Sequence, residues 1–244
     1  MERWVGKTAV VTGASSGIGA AIAVQLANAG VRVVGLARRS HLVEELQAQV
    51  RGSGPIHGRQ CDVTKLEDVA AAFQWAEDCF GCIHILVNNA GVFISGNITD
   101  LAEGQLSDAQ ILSVMDTNVR ATIMCTRHAI SSMKKHHFDG HVVNINSIAG
   151  HYIPFANFNV YSSSKYTITA FTQSLLTELA NLKSGIRITS ISPGLVDTAM
   201  AGGVQNMPML KPADVADAVL YAISAPPTVN ISELTIQPTS EKRL

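Results

Sequence analysis

Tyrosine and lysine lie four residues apart in the segment Tyr161-Ser-Ser-Ser-Lys165. On a helix, residues at this spacing project from the same face. A phenol is a poor proton carrier near neutrality because its ordinary pKa is about 10, and a nearby ammonium group lowers that pKa by favouring the phenolate. The pair therefore predicts a general acid/base with a lowered phenol pKa, although the same spacing also occurs in ordinary exposed helix turns.

Two further polar residues are candidates for the same chemistry. Ser147 follows the apolar run His141 to Ile145, and Asn118 lies inside a segment with helical spacing. Asparagine is mildly unfavourable inside a helix because its side chain competes for backbone hydrogen bonds. Taken alone, each residue is more simply explained as a polar side chain whose hydrogen bonds are satisfied at the end of a helix or strand. In combination with Tyr161 and Lys165, both become candidate catalytic residues.

The elements that must position these residues alternate along the whole chain. Seven β-rich apolar runs predict strands, namely Thr8 to Thr12, Val31 to Ala37, Pro55 to Asp62, Ile83 to Val87, His141 to Ile145, Ile186 to Ile191 and Asn230 to Ile236. Helical spacing lies between them, in Ala20 to Ala29, Leu42 to Val50, Leu66 to Phe80, Ser107 to Lys135 and Tyr161 to Leu182. This alternation predicts an α/β Rossmann fold, a doubly wound parallel sheet with helices on both faces.

Length and composition favour one domain that acts on a small molecule. The chain has 244 residues, of which 47% are hydrophobic, and no linker interrupts the pattern, so residues 1–244 are expected to form a single domain. The net charge is −1 with no long basic block, which argues against nucleic acid or an anionic membrane as partner. No signal-peptide run precedes the first strand, so a cytoplasmic protein is expected.

Two short motifs do not indicate a function. Cys79-Phe-Gly-Cys82 is a lone pair among four cysteines, and with no second pair it does not indicate zinc or a redox site; no metal is expected. The terminal Lys242-Arg243-Leu244 differs from a peroxisomal Ser-Lys-Leu address in having lysine where a small residue belongs.

A glycine-rich turn follows the first predicted strand. Gly13, Gly17 and Gly19 stand between that strand and a predicted helix, in the order that opens a dinucleotide-binding βαβ unit. Glycine lets the backbone N–H groups approach a phosphate closely, next to a helix N-terminus. The alternative is a glycine-rich turn with no ligand.

The end of the second predicted strand bears on the choice of nucleotide. A carboxylate there would bind a free ribose, but the sequence reads Ala37-Arg38-Arg39. The two guanidinium groups are suited to a 2′-phosphate, which favours NADP, unless they simply lie in a solvated loop. Asp62, at the end of the third strand, is suited either to the adenine amino group or to capping the segment that follows it.

In this arrangement the chain resembles the short-chain dehydrogenase/reductase family over nearly its full length. The matching segments are Thr12-Gly-Ala-Ser-Ser-Gly-Ile-Gly19, Asp62-Val63, Asn88-Asn-Ala-Gly91, Asn118, Ser147, Tyr161-x3-Lys165 and Pro193-Gly194. The resemblance implies hydride transfer between a nicotinamide and an alcohol or carbonyl carbon. Asn118, Ser147, Tyr161 and Lys165 would form the catalytic tetrad, with Tyr161 moving the proton, Ser147 binding the substrate oxygen and Asn118 helping to hold a relay water.

The resemblance also implies a set of coenzyme-binding residues. These are Gly13, Ser15, Ser16, Gly17, Ile18, Gly19, Arg38, Arg39, Asp62, Val63, Asn89, Ala90, Gly91, Tyr161, Lys165, Pro193, Gly194, Val196 and Thr198. Lys165 would bind the nicotinamide ribose, and Thr198 the carboxamide. Family members dimerise through the two longest helices and often form tetramers, so a homodimer or homotetramer is expected by analogy.

The substrate pocket is expected to be apolar. Its walls would come from the loop after Gly91, from residues 148 to 159, and from the segment after Gly194, which carries adaptable methionines and a possible hinge at Gly202 and Gly203. Residues named for these walls are Tyr152, Ile153, Pro154, Phe155, Phe158, Leu195, Met200, Met207, Met209 and Leu210.

Within the family, the chain is most similar to an insect branch of NADP-dependent farnesol dehydrogenases. An isoprenoid alcohol is therefore the expected substrate, with ketosteroid or general carbonyl reduction as the alternative. A nucleotide-sensing or scaffolding module without turnover is the non-enzymatic alternative, and the intact tetrad argues against it.

Overall fold

Seven strands form one parallel sheet in the order β3-β2-β1-β4-β5-β6-β7, as the alternating sequence pattern predicts. The computed structural model describes residues 1–101, 103–202, 204 and 206–240. The strands are β1 (Thr8–Thr12), β2 (Arg32–Ala37), β3 (Ile56–Gln60), β4 (Ile85–Asn88), β5 (His141–Ile145), β6 (Arg187–Pro193) and β7 (Glu233–Ile236). Gly203 and the tail Lys242-Arg243-Leu244, named in the sequence analysis, lie outside the described residues.

Helices cover both faces of this sheet. They are α1 (Gly17–Asn28), α2 (Ser40–Glu44), α3 (Leu66–Phe80), α4 (Asp108–Met115), α5 (Ala121–Lys135), α6 (Asn159–Asn181) and α7 (Pro212–Ser224). A hydrophobic cluster on one face joins the sheet to α1 and α7, and a second cluster on the other face joins it to α3, α5 and α6.

The strands contribute side chains alternately to the two clusters. In β1, Ala9 and Val11 belong to the cluster with α1, whereas Val10 between them belongs to the cluster with α3. This two-residue period follows from strand geometry, and burial of both faces explains why the strands read as continuous apolar runs.

The order of the strands creates a crevice beside β1. β1 pairs with β2 on one side and with β4 on the other, so the chain reverses its direction of travel across the sheet between these neighbours. In open parallel sheets, ligands bind outside the carboxyl ends of the strands at such a switch point. The glycine turn after β1 and the residues after β4 both lie at that edge.

The segment predicted as one helix from Ser107 to Lys135 contains a wider turn. Ser107 is the N-cap of α4 and forms a capping box with Gln110. Between α4 and α5 the backbone makes a π-helical turn over Asp116–Arg120. Such turns are rare and are frequently found at functional sites, and this one contains Asn118.

Three other elements differ from the sequence prediction. Helix α7 is not among the predicted helices, although Pro212 occupies its first turn, where proline is favoured. The segment Leu42 to Val50 is a short α2 followed by a 3-10 turn over Glu45–Gln49. Helix α1 begins at Gly17, within the glycine turn, and not at Ala20. Within the described part of the chain, no helix has the length and apolar character that a membrane crossing requires.

Candidate active site

A continuous cleft of about 980 Å³ lies at the carboxyl ends of the strands. All but one of the predicted coenzyme-binding residues line it, namely Gly13, Ser15, Ser16, Gly17, Ile18, Arg38, Arg39, Asp62, Val63, Asn89, Ala90, Gly91, Tyr161, Lys165, Pro193, Gly194, Val196 and Thr198. The remaining residue, Gly19, does not line the cleft. The fold therefore brings together residues from five separate loops.

The glycine turn after β1 has the backbone that a close ligand approach requires. Gly13 and Gly17 have φ angles of 67° and 55°, in the left-handed region that favours glycine. A Cβ atom at Gly13 would lie 2.9 Å from the Cα of Ala90. The first turn of α1 has no side-chain cap from its N-cap residue Ser16. Helix N–H groups at this end remain directed toward the cleft, where they favour an anion.

Gly19 has a packing role in this turn. A Cβ atom there would lie 2.4 Å from both the Nδ2 atom of Asn89 and the carbonyl oxygen of Gly13. The Asn89 amide nitrogen donates to the carbonyl oxygens of Thr12 and Gly13, at 2.9 and 3.2 Å. Gly19 thus allows the turn after β4 to support the turn after β1.

The end of the cleft beside β2 and β3 contains side chains of opposite charge. Arg38 and Arg39 are exposed, while the Oδ1 atom of Asp62 accepts hydrogen bonds from the backbone N–H and the hydroxyl of Thr64, at 3.0 and 2.8 Å. Burial favours the neutral carboxyl, but these two hydrogen bonds and the charges of Arg38 and Lys65 together lower the pKa of Asp62. Asp62 therefore stabilises the turn before α3 and also lines the cleft, while its contact with an adenine amino group stays a prediction.

Tyr161 and Ser147 meet at the other end of the cleft. Ser147 follows β5, and its Oγ atom accepts a hydrogen bond of 3.1 Å from the backbone N–H of Ala149. Burial raises the pKa of Tyr161, and a side-chain hydrogen bond with Ser147 only partly offsets that effect. From the sequence, a lowered pKa of the Tyr161 phenol is expected. With the protein's own groups around it, this pKa is instead raised.

Lys165 lies beside Tyr161, but burial of the phenol outweighs any effect of the lysine charge on the Tyr161 pKa. The Nζ atom of Lys165 donates a hydrogen bond of 3.0 Å to the carbonyl oxygen of Ile145 and lies 5.8 Å from the centre of the Tyr161 ring. Burial lowers the pKa of Lys165 itself to about 8, so it keeps most of its charge at pH 7 and loses it at more alkaline pH. Sequence spacing places the two side chains on one face of α6, but it does not report how strongly the fold desolvates them.

Asn118 lies behind the cleft and does not line it. Its side chain is 2% exposed. Its Oδ1 atom accepts from the backbone N–H of Val92 at 2.8 Å, while Nδ2 donates to the Val92 carbonyl oxygen at 2.9 Å and to the Ser164 hydroxyl at 3.1 Å. The Asn118 side chain thus holds the protein backbone after Gly91.

Asn146 is a site residue that the sequence analysis missed. It lines the cleft just before Ser147, and its Nδ2 atom donates a hydrogen bond of 2.9 Å to the hydroxyl of Thr169. Its Oδ1 atom is buried without a hydrogen-bond partner among the described residues. A polar residue directly after an apolar strand was the signal available in the sequence.

The substrate end of the cleft has apolar walls. Of the residues predicted for these walls, Tyr152, Pro154, Phe155, Phe158, Leu195, Met200 and Met207 line the cleft, together with Phe93 from the loop after β4. Ile153 does not line it and is 62% exposed, while Met209 and Leu210 lie outside its lining.

The two ends of the methionine-bearing segment after β6 are joined to each other by backbone hydrogen bonds. Val196 and Leu210 form an isolated parallel bridge. The backbone N–H of Asp197 donates to the carbonyl oxygen of Leu210, and that of Leu210 donates to Leu195, each at 2.8 Å. This pair of hydrogen bonds forms a narrow neck at the base of the segment.

The residues present fit a pyridine dinucleotide. The left-handed glycines and the uncapped start of α1 suit its diphosphate, and the arginines at the end of β2 suit a phosphorylated ribose. Asn146, which lines the cleft, has a buried Oδ1 atom without a hydrogen-bond partner among the described residues, and such an atom is suited to accept from a bound ligand.

Comparison with known proteins agrees with this arrangement. The sequence profile of the family described as short chain dehydrogenase matches residues 7–208. Farnesol dehydrogenase from Aedes aegypti is 45% identical over 99% of this chain and 100% of its own length.

Solved structures also match nearly the whole chain. An alcohol dehydrogenase from Thermococcus sibiricus, complexed with 5-hydroxy-NADP, is 26% identical with a TM-score of 0.82, covering 97% of this chain and 98% of its own. A 3-ketoacyl-(acyl-carrier-protein) reductase from Brucella melitensis, complexed with NADH, is 27% identical with a TM-score of 0.83, covering 96% and 98% of the two chains.

Proposed function

This chain belongs to the short-chain dehydrogenase family, and on that basis we propose that it is an NADP-dependent oxidoreductase that interconverts an apolar alcohol and its carbonyl compound. The observation that carries the proposal is the meeting of Ser147, Tyr161 and Lys165 at one end of a cleft that begins at a glycine turn. When bound, NADP(H) supplies or accepts the hydride. The protein supplies orientation and the accompanying proton transfer.

Tyr161 is the proposed general acid/base. Because burial raises its pKa, the phenol is protonated at neutral pH and is ready to donate its proton to a carbonyl oxygen. The Ser147 hydroxyl lies within hydrogen-bonding reach of Tyr161 and is suited to hold the same substrate oxygen. In the direction of alcohol oxidation, Tyr161 must first lose its proton, and a positive charge beside it assists that loss.

Lys165 is proposed to bind the coenzyme ribose and to bias the phenol toward ionisation. Its bond to the Ile145 carbonyl fixes the ammonium group between β5 and α6. An ammonium group has three donors, and among the described residues the Ile145 carbonyl accepts from Lys165, so donor capacity is left for a coenzyme in the cleft that Lys165 lines.

NADP is proposed over NAD because of the side chains at the end of β2. Arg38 and Arg39 line the cleft where a ribose 2′-phosphate would lie, and Ala37 provides no carboxylate to repel it. The alcohol dehydrogenase from Thermococcus sibiricus, which is complexed with an NADP derivative, supports this choice.

An isoprenoid alcohol such as farnesol is the proposed substrate. Apolar and aromatic side chains make up the walls beside Tyr161, including Phe93, Phe155 and Phe158. A relative with 45% identity over essentially the whole chain carries the name farnesol dehydrogenase. Reduction of a ketosteroid or another apolar carbonyl compound is the second candidate, and the protonated form of Tyr161 at neutral pH favours it.

We also propose a homodimer or homotetramer. Leu112 on α4 is 60% exposed and Leu182 just after α6 is 69% exposed, so the two longest helical segments carry apolar side chains at the surface. Strand β7 is at the edge of the sheet, where its outer backbone groups can pair with a second copy.

The Tyr161→Phe variant tests the proposed chemistry. We expect kcat for farnesol oxidation with NADP to fall by at least roughly 100-fold, because proton transfer by a positioned side chain contributes about that much or more. The dissociation constant for NADP should stay within about twofold, since only one hydroxyl is removed. Steady-state NADPH absorbance and a fluorescence titration measure the two quantities.

Tyr166→Phe is the matched control, since Tyr166 lies on the same helix and is 42% exposed. It should retain the parent kcat. Substantial residual activity in Tyr161→Phe would remove the proposed acid/base role. A parent enzyme that oxidises aliphatic or steroidal alcohols but not farnesol would overturn the isoprenoid assignment alone.

A further inference from the structure

Four aromatic rings form a continuous series at the substrate end of the cleft. Phe93 packs against Tyr161 with ring centres 4.9 Å apart and planes at 88°, and against Phe158 with centres 4.7 Å apart at 70°. Phe155 extends the series from Phe158 at 5.1 Å. Edge-to-face pairs of this kind have a preferred geometry, so each ring restricts the orientation of its neighbour.

Phe93 is the member of this series that comes from a different part of the fold. Phe158 precedes the first residue of α6, and Tyr161 lies in the first turn of that helix. Phe93 follows β4 and packs against both of these rings, which also contact each other with centres 6.3 Å apart. The ring of Tyr161 is therefore held from outside its own helix by a side chain that shares the cleft with it.

The backbone that carries Phe93 is itself fixed. Asn118 accepts from the N–H and donates to the C=O of Val92, the residue before Phe93. A two-point contact with one peptide position fixes both translation and direction of the backbone. Because Asn118 is 2% exposed within the π-helical turn, the contact is protected from competition with water.

A second connection runs from Asn118 to the backbone of Tyr161. The Asn118 Nδ2 atom donates to the Ser164 hydroxyl at 3.1 Å, and this hydroxyl donates to the Tyr161 carbonyl oxygen at 2.6 Å. Asn118 thus reaches Tyr161 by two routes, one ending at its main chain and the other, through Val92 and Phe93, at its ring.

We infer that Phe93 is a positioning residue for Tyr161: its ring, set in place by the contact between Asn118 and Val92, holds the phenol at the angle that proton transfer requires. The inference rests on the proposed role of Tyr161 as acid/base. Proton transfer depends on alignment within a few tenths of an ångström, and a misplacement of about 1 Å can cost roughly 100-fold in rate. Asn118 then contributes to the reaction from behind the cleft, without touching substrate.

The Phe93→Leu variant tests this inference, because leucine keeps the apolar character of the wall but removes the ring. With farnesol and NADP, we expect kcat to fall roughly tenfold or more, while KM for NADP stays within about twofold. Phe93→Tyr keeps the ring and should restore kcat to within about threefold of the parent. If the Phe93 side chain only filled space, Phe93→Leu would keep a higher kcat than Phe93→Tyr, since leucine adds no new polar group and tyrosine does.

Phe171→Leu is the matched control. Phe171 is a half-buried phenylalanine on α6 that packs against the core cluster with α3 and α5, away from the cleft. Its loss should lower thermal stability and leave kcat within about twofold of the parent. If Phe93→Leu does not fold, Phe93→Met, whose unbranched and flexible side chain adapts better to the space left by the ring, takes its place in the comparison.

Spectrophotometric titration of the phenol adds a measurement that does not require turnover. The difference between the parent and Tyr161→Phe isolates the Tyr161 phenol among the chain's four tyrosines. Removal of the Phe93 ring should admit water and move the pKa of this phenol down toward its ordinary value.

The outcomes separate the two proposals. Unchanged kcat and an unchanged Tyr161 titration in Phe93→Leu would overturn the inference about Phe93, even if Tyr161→Phe is inactive. Full activity of Tyr161→Phe would instead overturn the proposed function on which the inference rests.

Discussion

At the scale of single residues, we propose that the side chains at the end of β2 set the preference between NADP and NAD. Arg38 is exposed, lines the cleft and is near enough to Asp62 to lower the pKa of that carboxyl group. Hydrogen bonds to charged groups contribute about 1.5–3 kcal/mol, roughly one to two factors of ten in affinity. A guanidinium group that binds a 2′-phosphate therefore accounts for a strong preference without help from other elements.

The Arg38→Ala variant should lower the ratio of kcat/KM for NADP to that for NAD by about tenfold or more, because the bond to the 2′-phosphate is lost while NAD is unaffected. Steady-state kinetics with both coenzymes give this ratio. Arg51→Ala, at an exposed position outside the cleft, is the matched control. An unchanged ratio in Arg38→Ala would show that Arg38 belongs to a solvated loop.

At the scale of elements, the start of α1 depends on Gly19. Alanine favours a helix over glycine by about 1 kcal/mol, so Gly19→Ala is expected to stabilise α1 if only propensity counts. The added Cβ, however, would lie 2.4 Å from the Gly13 carbonyl oxygen and from the Asn89 amide nitrogen. Such overpacking typically costs about 1–3 kcal/mol, and here it also displaces the turn that faces the coenzyme.

We therefore predict that Gly19→Ala unfolds at lower urea concentration and binds NADP at least roughly tenfold more weakly, although Gly19 does not line the cleft. Gly81→Ala is the control for backbone strain: a Cβ there meets no atom of the described residues within 4 Å, and its backbone, with φ 75° and ψ −130°, is one that essentially only glycine adopts, at a cost of about 1–3 kcal/mol for alanine. NADP affinity should be unchanged in the control. Equal NADP affinity in both variants would contradict the packing role of Gly19.

Much of the element order was predictable, because strand burial and helix spacing leave direct traces in the sequence. The predicted bounds of α3 and β5, Leu66 to Phe80 and His141 to Ile145, are those of the structure. Helix α7 also had signals that were overlooked, with Pro212 in its first turn and Val215, Val219 and Ile223 at buried positions four residues apart.

Other features depend on contacts between distant parts of the chain. The hydrogen bonds of Asn118 to Val92 join residues separated by 26 positions, so local spacing alone cannot reveal them. The direction of the Tyr161 pKa shift in the protein without coenzyme also could not be predicted from local spacing. It is set by burial in the folded protein, which the four-residue spacing to Lys165 does not report.

At the scale of the whole molecule, buried titratable groups make the free energy of unfolding vary with pH in the alkaline range. We propose that residues 1–244 form one domain, so this dependence applies to a single unfolding transition. Burial raises the thiol pKa of Cys61 to about 12, of Cys82 to about 11 and of Cys125 to about 12, from 9.0. Burial lowers the pKa of Lys165 from 10.5 to about 8.

These groups act in opposite directions. Above pH 9 the unfolded thiols lose protons that the folded thiols retain, so stability falls as pH rises. Between pH 8 and 10.5 the folded Lys165 has lost a proton that the unfolded lysine retains, so stability rises. Three thiols outweigh one lysine, and we expect the free energy of unfolding to fall by up to about 2.7 kcal/mol per pH unit between about pH 9 and 10.5.

Urea denaturation across this pH range measures the slope. Cys125→Ala should reduce the slope by up to about 1.4 kcal/mol per pH unit, since one buried thiol no longer titrates. Cys79→Ala, at an exposed cysteine, is the matched control and should leave the slope unchanged. Identical slopes in the parent and in Cys125→Ala would refute the linkage.

The narrow neck between Val196 and Leu210 has a consequence for how this enzyme can diversify. The neck fixes both ends of the intervening segment, so their separation does not depend on what lies between them. Beyond Thr198, which belongs to the proposed coenzyme site, insertions, deletions or exchange of that segment can therefore accumulate without disturbing β6 or α7. New substrate specificities can arise by replacement of this one segment, while the residues that transfer the proton are inherited unchanged.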